Sequence, residues 1–465
     1  MTSLRLAQGL IPGNTKRWAW PSGAVAAALA LGVLGGRHPL TALLILIFAA
    51  GTYLAILQPF YGVLGLAILT PISSASKRGL LIPHLRISEA LIIWLAPLVI
   101  LFARRPVKKW GMLEWLGLAY ALGTLVLGSF DLWRRGAPFN SSNVDTMLSP
   151  FLYLLLLRAA RLGVSSERQL SFVIRGILLA AVPVCVLALL QGFGVTWAQN
   201  LGHTLTGVNE GHLDRATGVF TNWQVLAGYL LTVGLVAVAV AAYKAQGIMS
   251  ARAAASLSVL IGLALARTLT VGALVGWVAG SGALLVMSGR IQLTARRVTV
   301  GLAAAGAVVA LVLAARYHQE FVSRPGQPSS GIVPNTVMDR IHNWTRQYLP
   351  ALSGRWVTGY GPGVPTDVTW KFTDSVYVTV VLRGGLILLG LYGALMLGFA
   401  AVAKSGLRTK ASQASAATLL VLVALLLPLQ ILATYFTTSG LPEVMWVLAG
   451  LVSIGSIARL DVDDA

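Results

Sequence analysis

Cysteine, acidic residues and charge of any kind are scarce in this chain of 465 residues. The one cysteine, Cys185, lies in an apolar run, which excludes an intramolecular disulfide and reads as a small buried hydrophobe. Only 11% of the residues are charged, where a soluble domain carries about 25%. Together with 56% hydrophobic residues and a mean hydropathy of +0.78, that shortage excludes an ordinary soluble domain and indicates a polytopic membrane protein. Metal-ligand spacing is missing too. His203, His212, His318 and His342 are not spaced with one another or with acids to hold an ion, and His212-x-Asp214 is a weak signal. No Ser/His/Asp arrangement can be placed. Gly359-Tyr360-Gly361-Pro362-Gly363 is no phosphate loop, because no strand precedes it and no Lys-Ser/Thr follows. There is no internal repeat and no low-complexity tract. No cleavable signal peptide is expected, since a polar start with Lys16 and Arg17 leads into a membrane helix. We therefore expect no metal and no cofactor.

What is present is a series of apolar runs, each near the roughly 20 residues that a span requires. They lie at about 20–36, 39–57, 59–73, 87–103, 111–129, 146–160, 169–190, 221–243, 253–266, 269–288, 298–314, 375–402, 413–435 and 443–458. The expectation is about 12–14 transmembrane helices, since 39–73 is either a pair or one long element kinked at Pro59. Basic loops set the orientation. Lys16/Arg17, Arg104/Arg105/Lys108/Lys109, Arg161/Arg168, Lys244/Arg252, Arg290/Arg296/Arg297 and Lys404/Arg408/Lys410 fall on one side, read as cytoplasmic. Both termini are expected on that side.

The loops on the other side are unexpectedly basic in a chain whose formal net charge is +20. They hold Lys77, Arg78, Arg86, Arg134, Arg135, Arg215, Arg316, Arg324, Arg340, Arg346, Arg355 and Lys371. Positive charge there works against insertion, and an anionic ligand would explain it. The longest of these loops, 315–374, divides the chain into spans at 1–314, an extracytoplasmic loop read as a lid, and C-terminal spans with a cytoplasmic tail at 375–465. Within the loop, Val337, Ile341, Trp344 and Tyr348 share one helical face, with Thr336 as a possible N-cap, which predicts a helix at the membrane surface.

Three positions stand out chemically. Arg215 lies just before a span, where it either forks onto phosphate oxygens or snorkels to lipid headgroups. Arg267 lies where two apolar runs meet, as a functional cation or a turn-marking one. Asp374 opens the span after the long loop, as a general base or as a helix N-cap. Arg383 lies within that same span, where a charge must face protein or water.

These segments resemble the O-antigen ligase and O-antigen polymerase family of bacterial membrane glycosyltransferases. RATGVFTNWQVLAGYL is similar to that family's Arg-x-x-Gly-x-Phe-x-Asn segment, and LALARTLTVGALVGWVAG to its apolar segment closed by an Arg. WVTGYGPG is similar to its glycine turn in the large periplasmic loop, and DSVYVTVVLRGGLILLG to the helix that follows. The resemblance covers roughly residues 170–400. It implies an all-α, C-type glycosyltransferase-like fold in the cytoplasmic (inner) membrane, with the site facing outward. It implies a polyprenyl-diphosphate-linked glycan (undecaprenyl diphosphate) as donor and a glycan or lipid-linked acceptor, with inversion at the anomeric centre and no metal. Membrane lipid is an expected partner and nucleic acid is not. Arg215 and Arg267 would hold the diphosphate. Arg340, Arg346, Arg355, Lys371 and Arg383 are further substrate-binding candidates. In the ligases a His opens the segment that here reads Asp374, Ser375, nine residues and Gly385. Asp in that place favours a polysaccharide polymerase over a ligase. A transporter of lipid-linked glycan or of anions is the alternative, and broken mid-membrane helices, which would favour it, are not expected from the sequence. A non-enzymatic scaffold leaves the basic outer loops unexplained.

Overall fold

A computed structural model describes residues 39–79, 84–103, 109–207, 215–245, 247–290, 335–363, 365, 368 and 373–457. Among these the chain is all helix, without strands. In chain order the helices are α1 (Pro39–Leu57), α2 (Pro59–Ser73), α3 (Ile87–Phe102), α4 (Met112–Arg135) and α5 (Ser141–Gly163). Next come α6 (Glu167–Gly192), α7 (Thr196–Thr206), α8 (Trp223–Ala242), α9 (Ala251–Arg267) and α10 (Val271–Met287). The last four are α11 (Asn335–Asn343), α12 (Val376–Gly406), α13 (Gln413–Leu429) and α14 (Leu441–Ile457). The spans expected at 20–36 and 298–314 lie outside the described residues.

Among the described residues four helices, α4, α6, α8 and α12, are long and apolar enough to cross a membrane. Shorter apolar helices, α2, α10 and α13 among them, pack beside these four, and α3 packs against α1, α2 and α5. Large apolar side chains on the outside of the bundle, such as Leu101 at 75% and Leu397 at 73% exposure, suit a lipid environment. The chain is therefore a helical protein with the character of a membrane protein.

The bundle is built around α8, of which 17 of 20 residues are buried. It packs against α6, α9, α10, α13 and α14. Close approach there depends on small residues. A side chain at Gly234 or Gly262 would meet the Trp277 indole at 2.8 Å, and one at Gly228 would meet Tyr435 at 2.9 Å. Side-chain oxygens cap the helix starts: Asn140, Ser166, Asn222, Ser250 and Ser375 each accept from a backbone N–H in the first turn. Gln58 is extended and Pro59 opens α2, so 39–73 is a pair of helices.

The structure departs from the sequence reading in four places. α7 escaped notice because TWAQNLGHTLT is far too short and polar for a span. In the long loop, α11 runs into a π-helical turn at Trp344–Tyr348, and Thr336 lies inside the helix instead of capping it. That turn shifts the register, so Tyr348 is buried while Ile341 stays exposed. Arg161 is not a loop charge: it lies in α5, where Glu114 binds both it and Arg158, the latter at 2.7 Å.

The fourth departure concerns α12, which is not one continuous span. Gly384 (φ −156°, ψ 20°) and Gly385 (φ 64°, ψ −160°) break it after Arg383. A break within an apolar helix, which the sequence did not announce, is therefore present, and the positive φ of Gly385 is a backbone geometry that other residues rarely adopt.

Glu114 neutralises two buried arginines, so Glu114→Gln should lower stability by about 3–5 kcal/mol, the cost of leaving buried charge uncompensated. Thermal unfolding of the purified protein in detergent measures this, and an unchanged midpoint would mean that water already solvates the pair.

Candidate functional site

One end of the bundle gathers the residues in question. Here α2, α4, α6, α9 and α13 finish and α3, α5, α8, α10, α12 and α14 begin. Backbone bonds tie the connecting segments together. Lys77 N–H donates to Leu205 C=O at 3.1 Å, Ala216 N–H to Arg267 C=O at 3.1 Å, and Val376 N–H to Gln430 C=O at 3.0 Å.

The bond from Ala216 to Arg267 joins two segments far apart in sequence and brings the Arg215 turn against the end of α9. Each residue of the Arg215 segment has a local reason. Gly218 adopts a left-handed φ of 61°, Phe220 is 1% exposed against Tyr229, and Asn222 caps α8 by accepting from Val225 N–H at 2.9 Å. Gln191, buried at the end of α6, holds the turn from below. Its carbonyl accepts from Thr217 N–H at 3.1 Å and Gly218 N–H at 2.7 Å, and its amide donates to Gly218 C=O and Ala198 C=O at 3.0 Å each. The Arg215 guanidinium lies over the Trp223 ring at 4.7 Å. The Arg267 guanidinium lies over Phe193 at 5.3 Å, and its chain fills the space beside Gly192. Arg267 Nε is buried and has no hydrogen-bond partner.

A second cluster surrounds Asp374. Ser375, not Asp374, is the N-cap of α12, and its hydroxyl also donates to Gln430 C=O at 3.2 Å. Asp374 itself is left-handed, at φ 51°, a conformation that Asp tolerates better than most residues. Its carboxylate is 3.5 Å from Arg340 Nε, and Arg340 also donates to Leu432 C=O at 3.0 Å. Trp344 donates to Thr373 C=O at 2.5 Å, which pins the residue before the acid. Tyr348 lies buried close by, and burial, with the Asp374 carboxylate adding to it, pushes its hydroxyl pKa up to about 12. That phenol stays protonated, a donor at any physiological pH.

Segment 430–440 connects the two clusters. Gln430 anchors Ser375 and Val376, next to Asp374, and Leu432 anchors Arg340, while Tyr435 and Gly440 pack on Gly228 and Phe220 beside the Arg215 turn. Of the other candidates, Arg346 is exposed on the π turn, and Lys371 lies outside the described residues. Arg383 is half-buried at the break of α12. Arg355 belongs to a different group, stacking at 5.4 Å on Tyr360.

Sequence reasoning passed over Gln191, Gln430 and Asp131. The glutamines act through backbone groups distant in sequence, which leave no pattern. Asp131 carried a signal, its i,i+4 spacing to Arg135 at the end of a span. The basic residues also need sorting. Arg78 pairs with Glu89 at 3.0 Å and with Asp145, and Arg86 lies 4.0 Å from Glu89 and donates to Ser439. Those two are structural partners of acids. No protein-family model and no curated protein matches this chain. Among the described residues, no group of His, Cys, Asp and Glu could hold a metal ion.

Gln191→Leu should leave the Arg215 turn without three anchors, at about 1–3 kcal/mol for each buried group left unpaired. Hydrogen exchange should then quicken at Thr217 and Gly218. Wild-type protection in the folded variant would show that the turn is held by something else.

Proposed function

We propose that the protein is a membrane glycosyltransferase that polymerises or transfers a polyprenyl-diphosphate-linked glycan, with the Asp374 end of the bundle outside the cytoplasmic membrane. A polysaccharide polymerase is favoured over a ligase, since Asp stands where the ligases have His. The observation that carries this reading is the joining of the Arg215 turn to Arg267 by the bond from Ala216. Two guanidinium-bearing residues at one helix end suit a diphosphate, whose oxygens accept paired N–H donors.

In the proposed reaction an acceptor hydroxyl attacks the anomeric carbon of the donor from the face opposite the phosphate. The C–O bond to phosphate breaks and the diphosphate leaves, inverting the centre. The acceptor's proton passes to the Asp374 carboxylate, which the cap at Ser375 leaves available. Arg215 and Arg267 stabilise the charge that develops on the leaving group. Arg340 orients the acid, and the protonated Tyr348 hydroxyl lies on the same side.

Transport of a lipid-linked glycan is the second reading, and the break in α12 favours it, because transporters build sites from discontinuous helices. In this chain, however, the loop occupies the freed backbone groups of the break, so they are not offered to a substrate.

Purified protein supplied with a defined polyprenyl-diphosphate glycan should form longer or transferred glycan. Arg215→Ala or Arg267→Ala should slow turnover about 10²–10³-fold, and Asp374→Ala about 10²–10⁴-fold. Full turnover in all three folded variants would overturn the assignment. Movement of the glycan across liposomes without covalent change would favour transport.

A further inference from the structure

The turn Arg355–Gly361 lies in the break of α12. Tyr360 N–H and Gly361 N–H donate to Leu382 C=O at 2.6 and 3.1 Å. In return Leu386 N–H donates to Trp356 C=O at 2.8 Å. The fit depends on glycine on both sides. A Cβ at Gly359, whose φ is 85°, would lie 2.6 Å from Gly385 N and 2.7 Å from Leu382 O, and one at Gly385 would strike the Val357 carbonyl. Tyr348, Leu352, Val368, Val381 and Leu382 form a small apolar core of their own between loop and helix.

The outer side of the turn rests on α4. A Cβ at Gly361 would lie 2.9 Å from Asp131 Cβ and 3.2 Å from Arg135 Nη2. Arg135 covers the Tyr360 ring at 4.0 Å, and Arg355 covers it at 5.4 Å. Asp131 is fully buried, with neither carboxylate oxygen hydrogen-bonded, and Arg135 and Arg355 also bury guanidinium nitrogens without partners. The charges of Arg135, Arg355 and Arg134 act on this carboxylate at longer range than a direct ion pair, so their attraction reaches across the joint between α4 and the loop. Removing the loop would leave Asp131 with Arg135 and Arg134 alone, and would strip α12 of its partners at the break.

We infer that Arg355–Gly361 is a plug seated in α12 and that Asp131, acting on Arg135 and Arg355, is the lock that keeps it there. This part of the long loop is a fixed wall of the bundle, and it sets where the first half of α12, with Asp374 at its start, can lie. The inference rests on packing and charge and holds whatever reaction the protein performs.

Hydrogen exchange on the full-length protein in detergent tests it. In the wild type, the amides of Tyr360, Gly361 and Leu386 should exchange as slowly as those of α8. Asp131→Asn should speed exchange at these three by about tenfold or more while leaving α8 unchanged, the mark of local opening. Should that variant fail to fold, Arg355→Gln makes the same test from the loop side, and Gly385→Ala should unseat the turn directly. Wild-type amides that exchange as fast as that of exposed Phe139 would overturn the plug. Folded Asp131→Asn and Arg355→Gln proteins with wild-type protection would overturn the lock.

Discussion

A backbone N–H or C=O inside a bilayer must find a partner within the protein, because no water is there to take its place. In this chain that constraint is sharpest at Gly384–Gly385, where α12 breaks two turns into its length. The carbonyl of Leu382 and the amide of Leu386 lose their helical partners, and the turn at 355–361 supplies replacements. A polar loop and an apolar helix thus become one element. The glycines at 359 and 385 serve that joint, where two backbones approach too closely for side chains. The geometry of the Asp374 end depends on this joint, since the start of α12 carries Asp374 and the loop carries Arg340.

The same need for partners organises the Arg215 side. Gln191 spends all its hydrogen-bonding capacity on backbone groups of α7 and the turn at 217–218. Gln430 offers its carbonyl to Val376 N–H and Ser375 hydroxyl, and Tyr392 donates to its side chain. Two buried glutamines therefore position two separate clusters, with segment 430–440 spanning the distance between them. In both places a buried glutamine acts by holding backbone.

Much of the helical layout was legible because a span leaves a long apolar run in the sequence. The pairs at 39–57 and 59–73 and the starts of α12 and α13 agree with the structure within a residue or two. The segment around Arg215 was legible as a unit, since its glycine, phenylalanine and asparagine mark a left-handed turn, a buried ring and a cap. What stayed hidden was whatever depends on partners far along the chain. Nothing near Gly384 says that a loop will fill the break, and the run SVYVTVVLRGGLILLG is as apolar as an unbroken helix. The choice between cap and base at Asp374 was equally open, because Ser375 follows it and either residue can cap. Only the observed bond from Val378 N–H to Ser375 settles which one does.

Charge at this end of the bundle then divides by partner. A cluster of basic residues would call for an anionic ligand if its charges had no other use, but several have one. Arg78 and Arg86 pair with Glu89 and Asp145, Arg340 meets Asp374, and Arg135 and Arg355 stack on Tyr360. Arg215 and Arg267 stand apart from these: the bond from Ala216 N–H to Arg267 C=O joins their segments, and each guanidinium lies over an aromatic ring. Stacking of that kind fixes the plane of a guanidinium, and a fixed plane is what gives its forked N–H groups a defined direction.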